Sequence, residues 1–447
     1  MKPPAPGTGE LPSYPAATVA AGLRVAVPSS RSHPSRAAAC PPAPRPAALA
    51  ASLPLRHSIA MPMTKLSARD LLARLIGFDT TSRESNLALI DFIRNYLDGW
   101  GVASELYFDG DRRKADLFAT IGPDDRGGLM LSGHTDTVPV DGQVWNTDPF
   151  TATLNDRRLY ARGSADMKGF IAVALSRVPD FAAARLKLPL HLAFSYDEEV
   201  GCTGVRDLIA DVSSREVRPL GCIVGEPTSM TPVIAHKGKL TMRCEVHGHE
   251  AHSALTHQGV NAVETAAEIV ARLRRMARHK RDHGPYDEGF VPPYTTIHVG
   301  TIRGGTAVNI VPRHCSFDFE IRAIPADDAV ALARELRDYT EATLVPEMHA
   351  VSAASAVHFH EINNTPGLSV PAEDPLVKLA QMLSGANDTG KASYTAEAGL
   401  FQAAAIPAIL CGPGSIEQAH KPNEFVSLDQ IARCETFVQR LFEHMHA

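Results

Sequence analysis

Residues 190–204 read LHLAFSYDEEVGCTG and join an apolar run directly to three consecutive acids, Asp197, Glu198 and Glu199. The apolar part predicts a strand that runs into a core. Carboxylates this close together repel one another and resist ionisation unless a positive charge lies nearby. The stretch therefore predicts a buried strand whose end needs a cationic partner.

Two other apolar runs resemble this one, GGLMLSGHTD at 127–136 and LGCIVGEPT at 220–228. Near-continuous apolar runs are typical of central strands that are covered on both faces. Segments with helical spacing lie between the runs, at 169–177 and 204–211. The alternation of strands and helices indicates an α/β sheet with parallel character. The same α/β pattern predicts further helices at 70–78, 86–100 and 374–383 and a further strand at 407–412. A last helix is predicted to begin at Ser427, because a serine followed three residues later by Gln430 is typical of a capping box.

The pattern changes from about Leu240, where four predicted strands and two predicted helices follow in the order β-α-β-β-α-β. This order is typical of a small ferredoxin-like open sandwich. We therefore predict a mixed-sheet α/β/α domain with a smaller domain inserted into it. The strands of the insertion are expected at 240–248, 295–305, 315–323 and 350–359, and its helices at 260–277 and 328–344.

The composition of the chain sets limits on its class. It has 447 residues, of which 44% are hydrophobic and 21% charged, and its formal net charge is −6. This length favours more than one domain. We expect no membrane span, and no nucleic-acid partner, because we find no basic stripe in the body of the chain. The predicted parts are an extension at 1–62, a first part of the larger domain at 63–239, the insertion at 240–352, and a second part at 353–447.

The first 62 residues are rich in Pro, Ala and Arg and contain a single acid, Glu10. Such a segment is predicted to be disordered, because it cannot bury enough apolar surface. It is either an organellar leader or the product of a start site placed too far upstream, in which case Met61 or Met63 is the working start. The many prolines favour the upstream start site, because they disrupt the helix that a leader requires. Seven scattered cysteines indicate reduced thiols in a cytoplasmic protein.

Polar residues that could bind metal follow several predicted strands. Ligands of open α/β sheets bind beyond the carboxyl ends of the strands, so polar residues at these positions are stronger candidates for a functional site than polar residues elsewhere. Each residue alone also suits an ordinary surface or helix-capping role. Together they offer nitrogen and oxygen ligands without thiolate, which suits a pair of borderline cations such as Zn²⁺ bridged by a carboxylate. The residues are His134 and Asp136 in SGHTDTVP, Asp166 in ARGSADMKG, Glu226 in VGEPT, His420 in CGPGSIEQAH, and the acids of SYDEEVGCTG.

The chain resembles the M20 family of dizinc metallopeptidases and deacylases. The resemblance extends from about Leu66 to the carboxyl terminus, and its motifs occur in the order found in the family. It rests on those five segments together with GHEAHS, GGTAVNIVP, FEIR, AEAGLFQ and KPNEFV. The resemblance implies two Zn²⁺ ions per subunit, for which Co²⁺ or Mn²⁺ could substitute.

The metal ligands that the resemblance implies fall on five residues. His134, Asp166 and Glu226 would bind one ion, with Asp166 bridging to the second. Glu199 and His420 would complete the second site.

Five further roles follow from the same resemblance. Asp136 would orient His134, and Glu198 would be the general base, whereas Asp197 receives no role. The inserted domain would form a homodimer, in which His252 reaches the partner's site and stabilises the oxyanion. Asn309 and Arg322 would hold the substrate, although the residues alone favour a cross-strand ion pair of Arg322 with Asp318 or Glu320.

The activity implied is hydrolysis of an N-acyl amino acid, above all N2-acetyl-L-ornithine, by a metal-activated water. Other deacylases of the family, such as a succinyl-diaminopimelate desuccinylase, remain alternatives, as do a dipeptidase, a carboxypeptidase and, more remotely, a non-catalytic binding protein. Ala396 stands where a threonine is usual, which leaves the choice of substrate open.

Overall fold

The computed structural model describes residues 64–446. The extension predicted at 1–62 lies outside the described residues. A 3₁₀ segment spans Ser253–Gln258 and a π-helical turn spans Thr340–Leu344. The helices are α1 (Ala68–Ile76), α2 (Leu87–Gly99), α3 (Lys168–Ala183), α4 (Arg206–Ser214), α5 (Ala262–His283), α6 (Ala329–Tyr339), α7 (Val345–Val351), α8 (Pro375–Ser384), α9 (Ala398–Ala403) and α10 (Leu428–Met445).

The strands form three sheets within the described part of the chain. They are β1 (Ser104–Phe108), β2 (Ala115–Ile121), β3 (Leu129–His134), β4 (Thr153–Asn155), β5 (Arg158–Tyr160), β6 (Leu190–Ser195), β7 (Gly221–Pro227), β8 (Val233–His236), β9 (Gly238–His247), β10 (Thr296–Gly304), β11 (His314–Ala323), β12 (Ala356–Thr365), β13 (Leu368–Ser369), β14 (Gly390–Ala392), β15 (Ala408–Gly412) and β16 (Phe425–Ser427).

The largest sheet has the order β1-β2-β6-β3-β7-β15-β8-β13, with β14 paired to β8. Its centre is parallel, since β3 pairs in parallel with β6 and β7, and β7 with β15. Strands β1 and β2 extend it in antiparallel fashion, which confirms the mixed α/β sheet. Every residue of β3, β6, β7 and β15 is buried, as expected for strands covered on both faces. The carboxyl ends of these four strands therefore lie at one edge of the sheet.

The second sheet is antiparallel, with the order β10-β11-β9-β12. Together with α5 and α6 it has the predicted order β-α-β-β-α-β. Buried residues alternate with half-buried or exposed ones along β9 and β11, so one face packs on the helices and the other faces solvent. Strand β12 pairs with β9 as far as Thr365, so this sheet extends beyond the boundary predicted at 352. The strand predicted at 350–359 begins later, because α7 still occupies its first residues.

Helix α5 corrects one expectation. Six of the twelve residues at 272–283 are Lys or Arg, so the chain does contain a basic stripe. Three of these cations pair with acids, namely Arg272 with Glu335, Lys280 with Asp327, and Arg281 with Asp282. A low net charge for the whole chain concealed this local run.

Two further expectations concern the described residues. Their six cysteines are all unpaired and buried, as predicted. In the same part of the chain, no helix is long and apolar enough to cross a membrane.

Candidate active site

His134 ends strand β3 at the edge where the four central strands terminate. Its Nδ1 lies 3.0 Å from the carbonyl oxygen of Asp136 and 3.5 Å from the Asp136 carboxylate, so Nδ1 is assigned the proton. Its Nε2 is thereby left with a free lone pair and lies 2.9 Å from Oδ1 of Asp166. The structure gives Asp136 the orienting contact that a metal-binding imidazole needs.

Asp136 is itself held firmly. Its carboxylate accepts a hydrogen bond from Oγ of Ser82 at 2.7 Å and from the backbone N–H groups of Glu198 and Glu199 at 3.1 and 3.3 Å. Burial raises the pKa of Asp136, but the hydrogen bonds from His134 and Ser82 outweigh burial, and the pKa lies below its ordinary value. One ionised carboxylate therefore orients the histidine and fixes the turn that carries the two glutamates.

The three acids do not continue strand β6, since Asp197 has a positive φ of 55°. The carboxylate of Asp197 forms an ion pair with Nζ of Lys114 at 2.5 Å. Lys114 also donates to the carbonyl oxygen of Ser82, the residue that hydrogen-bonds Asp136. Asp197 therefore has a structural partner that the sequence pattern does not reveal.

Asp166 lies between the two histidines of the site. Its Oδ1 faces His134, and its Oδ2 lies 3.5 Å from Nε2 of His420. The same Nε2 lies 2.9 Å from Oε2 of Glu199. A carboxylate that offers one oxygen to each side has the arrangement that a bridging metal ligand requires.

Glu424 holds the loop that presents Asp166. Its buried carboxylate accepts the guanidinium of Arg162 at 2.8 Å and the backbone N–H groups of Gly163, Ala165 and Asp166 at 3.1, 2.9 and 3.1 Å. Both side chains of the ion pair are 1% exposed. Glu424 belongs to the KPNEFV segment, but its role depends on a loop more than 250 residues earlier in the chain.

Glu198, which is half-buried, and Glu226, which is buried, complete the group of carboxylates. Oε1 of Glu226 lies 4.0 Å from Nε2 of His134 and has no hydrogen-bond partner among the residues described. Burial, and then repulsion from neighbouring carboxylates, raise the pKa of both glutamates well above the ordinary value. Oε1 of Glu198 is contacted by the Cys202 thiol at 3.5 Å. Buried acids with an orphaned oxygen form a site whose charge would be balanced by divalent cations.

The structure thus brings together the five residues predicted as ligands. Within residues 64–446, His134, Asp166 and Glu199 are the one group of three whose ligand atoms all lie within 4.8 Å of one another. Glu226 and His420 extend this group through the contacts above.

The three residues predicted from the inserted domain lie elsewhere. His252 is exposed, and its Nδ1 accepts a hydrogen bond from the N–H of Ala254. Asn309 is also exposed, and its carbonyl oxygen accepts from Ser253, which places it beside the His252 turn. Arg322 donates to Glu320 at 2.6 Å, so the partner is one of the two acids expected, but it lies two residues away on the same strand and not across the sheet.

Glu397 is a buried acid that the sequence did not single out. It is fully buried and accepts a hydrogen bond from Oγ of Ser195, at the end of β6. Burial raises its pKa to about 7. Glu397 lies in the AEAGLFQ segment, directly after Ala396, which is also fully buried.

Comparisons with known proteins identify the family to which the chain belongs. The profile of the family described as Peptidase family M20/M25/M40 matches residues 130–444. A protein of Proteus mirabilis (strain HI4320) named acetylornithine deacetylase is 35% identical over 368 residues, which are 82% of this chain and 92% of that protein. A protein of the same name from Myxococcus xanthus is 35% identical over 381 residues, 84% of this chain and 97% of that one.

Solved structures share the fold at low identity. An M20 family metallo-carboxypeptidase from Sulfolobus solfataricus has a TM-score of 0.64 at 17% identity and covers 84% of this chain and 98% of its own. A dinuclear metal-binding peptidase of the M20 family from Bacillus subtilis has a TM-score of 0.56 at 14% identity, with 84% and 97% covered.

Proposed function

Because the chain belongs to peptidase family M20/M25/M40, we propose that it hydrolyses N2-acetyl-L-ornithine to L-ornithine and acetate. The relatives named acetylornithine deacetylase, matched over more than four fifths of the chain, support this substrate. The observation that carries the chemistry is the convergence of five nitrogen and oxygen ligands, with Glu198 among them, of which His134, Asp166 and Glu226 are buried and His420 is exposed. The six unpaired buried cysteines are compatible with a reducing compartment, and we place the activity in the cytoplasm.

The donor set fits two divalent ions, and we propose Zn²⁺, with Co²⁺ as a substitute. His134, Asp166 and Glu226 would hold one ion, and Glu199 and His420 the other, with Asp166 shared. The proposal is supported by the two oxygens of Asp166, which face different histidines. It is also supported by the unpartnered oxygen of Glu226, which has no other use in the described structure. Such ions would lower the pKa of a water molecule and polarise the acyl carbonyl.

Glu198 is proposed as the base that accepts the proton of the attacking water. Its backbone is fixed by Asp136, while its own carboxylate makes no ion pair among the described contacts and so is free to exchange a proton. Glu198 would then give the proton to the departing amine, as a group that acts first as base and then as acid. Its neighbour Glu199 faces His420 and is left to the metal.

The inserted domain is proposed to supply the rest of the site as part of a homodimer. His252 and Asn309 are exposed and adjacent, so a second subunit could bring them to the carbonyl and carboxylate of the substrate. His252 would stabilise the oxyanion. Arg322 is compatible with carboxylate binding, but it would first have to release Glu320.

The central test replaces Glu198 by Gln. We expect the turnover of N2-acetyl-L-ornithine to fall by roughly 10²–10⁴-fold, because an amide cannot accept the proton. Metal content should be unchanged, since Glu198 is not a proposed ligand. The matched control is Glu417→Gln, an exposed glutamate on the loop before His420, which should keep full activity. Near-normal turnover of a metal-loaded Glu198→Gln protein would remove Glu198 from the mechanism.

A substrate panel tests the choice among family activities. N2-acetyl-L-ornithine, N-succinyl-diaminopimelate, other N-acetyl amino acids and dipeptides would be compared with and without a chelator. We expect the acetylated ornithine to have the highest kcat/KM and all activity to disappear with the chelator. A preference for a succinylated or peptide substrate would assign one of the alternative activities instead.

A further inference from the structure

The inserted domain carries a cluster of histidines on the sheet face that points away from α5 and α6. His314 of β11 lies directly opposite His247 of β9. His358 of β12 lies opposite Glu245, which is two residues before His247 and therefore on the same face. All three histidines are exposed, whereas the residues between them on each strand turn toward the helices. Three adjacent strands thus present imidazoles to one patch of solvent.

The spacing of these rings suits a shared ion. The ring centres of His247 and His314 are 5.2 Å apart, and those of His247 and His358 are 5.5 Å apart. Two imidazoles that bind one tetrahedral Zn²⁺ at about 2.0–2.1 Å have ring centres roughly 5 Å apart. Oε2 of Glu245 lies 3.9 Å from Nε2 of His247 and adds an oxygen donor.

We propose that His247, His314, His358 and Glu245 form a second metal site, separate from the five catalytic ligands, that takes a borderline divalent cation such as Zn²⁺. Imidazole and carboxylate are donors that Zn²⁺, Cu²⁺ and Ni²⁺ accept readily. His247 is the central ligand, because it neighbours the other three residues.

Two guanidinium groups lie near the cluster on the same face. The first belongs to Arg243, and Asp318 neutralises it through contacts of 2.8 and 3.0 Å. The second belongs to Arg303, which is exposed on β10 opposite Ser316 and makes no ion pair among the described contacts. Solvent around Arg303 screens its charge from a dication at His247. His360 lies on the open side of Glu245, at 3.5 Å from the same oxygen, and is available as an alternative donor.

Binding requires small side-chain rotations. As they stand, the nitrogens of the cluster do not converge, since the catalytic group alone brings three ligand atoms within 4.8 Å in the described chain. The side chain of His247 is 46% exposed and that of His360 57%, so both can change rotamer without disturbing the core. The alternative is that the rings only pack edge to face, in which case no ion would bind.

The test counts metal ions in the full-length protein. Wild type, His247→Asn and His358→Asn would be equilibrated by dialysis against micromolar Zn²⁺, and bound zinc measured. We expect wild type to hold one equivalent more than His247→Asn, and the variants to bind that ion at least roughly tenfold more weakly. His257→Asn, an exposed histidine outside the cluster, is the control and should match wild type.

A second readout identifies the ligands. Cu²⁺ bound at the additional site should show nitrogen hyperfine coupling that weakens in His247→Asn, while the hydrolytic activity of this variant remains that of wild type. The difference between variants does not depend on how many ions the catalytic group holds, so this proposal can fail separately from the proposed function. Equal zinc content in wild type and His247→Asn would overturn it.

Discussion

Glu424 offers the sharpest test of how the fold builds the site. Glu424→Ala would remove the carboxylate that holds Arg162 and three backbone N–H groups of the Asp166 loop. Breaking a buried ion pair by deleting one partner costs roughly 3–5 kcal/mol, because the other charge stays buried without compensation. We therefore expect the free energy of unfolding of the metal-free protein to fall by about 3–5 kcal/mol.

The estimate rests on burial and not on the mere presence of an ion pair. The pair between Arg157 and Asp429 has a similar distance, 2.6 Å, but its side chains are 69% and 74% exposed. Exposed pairs contribute about 0–1 kcal/mol. Asp429→Ala is thus the matched control, and it should lower stability by no more than about 1 kcal/mol.

The assay combines two measurements. Urea unfolding of chelator-treated protein gives the free energy of unfolding without the added stability that bound metal confers. Zinc titration of the folded proteins then reports on the Asp166 loop, and we expect Glu424→Ala to weaken binding by roughly 10–100-fold, as is usual when the residues that orient metal ligands are removed.

The two results can fail independently. If Glu424→Ala and Asp429→Ala lower the free energy of unfolding equally, the buried contacts of Glu424 do not stabilise the fold. If stability falls but zinc affinity does not, the carboxylate supports the fold without positioning Asp166. Arg162→Ala should reproduce the loss of stability, since it leaves Glu424 buried without its cation.

Three more outcomes are expected. Gly225→Ala should lower the free energy of unfolding by about 1–3 kcal/mol or more, because the new Cβ would lie 1.9 Å from the ring of Phe170. Gly110→Ala is the control and should be nearly neutral, since its Cβ would meet no atom within 4 Å. Equal urea midpoints for the two variants would refute the clash. Burial lowers the pKa of His236 to about 4. In the unfolded chain the imidazole has a pKa near 6.5, so the free energy of unfolding should fall by up to roughly 3 kcal/mol as the pH drops from about 6.5 to about 4. His236→Gln should flatten that pH dependence in urea titrations. An unchanged slope would contradict this assignment. His252→Ala subunits mixed with Glu198→Gln subunits should regain activity through hybrid dimers, and no recovery would place His252 outside a shared site.

The sequence predicted those elements whose signal is local. Strands β3, β6 and β7 are continuous apolar runs, so burial on both faces followed from composition alone. Each run ends in polar residues, and parallel strands bring their carboxyl ends to one edge, which is why His134, Glu199 and Glu226 meet, whereas Asp166 reaches them from a loop between β5 and α3. The helix start at Ser427 was also readable, and its hydroxyl accepts the N–H of Gln430 as predicted, although the Gln430 side chain binds Gly414 instead of closing the capping box.

The basic stripe of α5 was readable but was missed, because the net charge of the whole chain averaged it away. The end of the small sheet was missed for a physical reason. Strand β12 passes through an irregularity between Glu361 and Asn363, which interrupts the alternation that identifies a strand. Pairing with β9, and not the sequence of β12, carries it to Thr365.

What the chain determined by itself is the set of chemical groups and the strand ends that carry them. Only the tertiary structure decided their partners. Asp197 forms an ion pair with Lys114, and Asp136 accepts hydrogen bonds from the backbone N–H groups of the two glutamates that follow Asp197. Glu424 holds the Asp166 loop through its backbone N–H groups. Local periodicity reports which side of an element is buried, but it contains no information about residues that lie tens or hundreds of positions away. The charge of SYDEEVGCTG is therefore explained by two sources, a lysine that compensates Asp197 and a buried ligand group whose remaining charge suits metal ions.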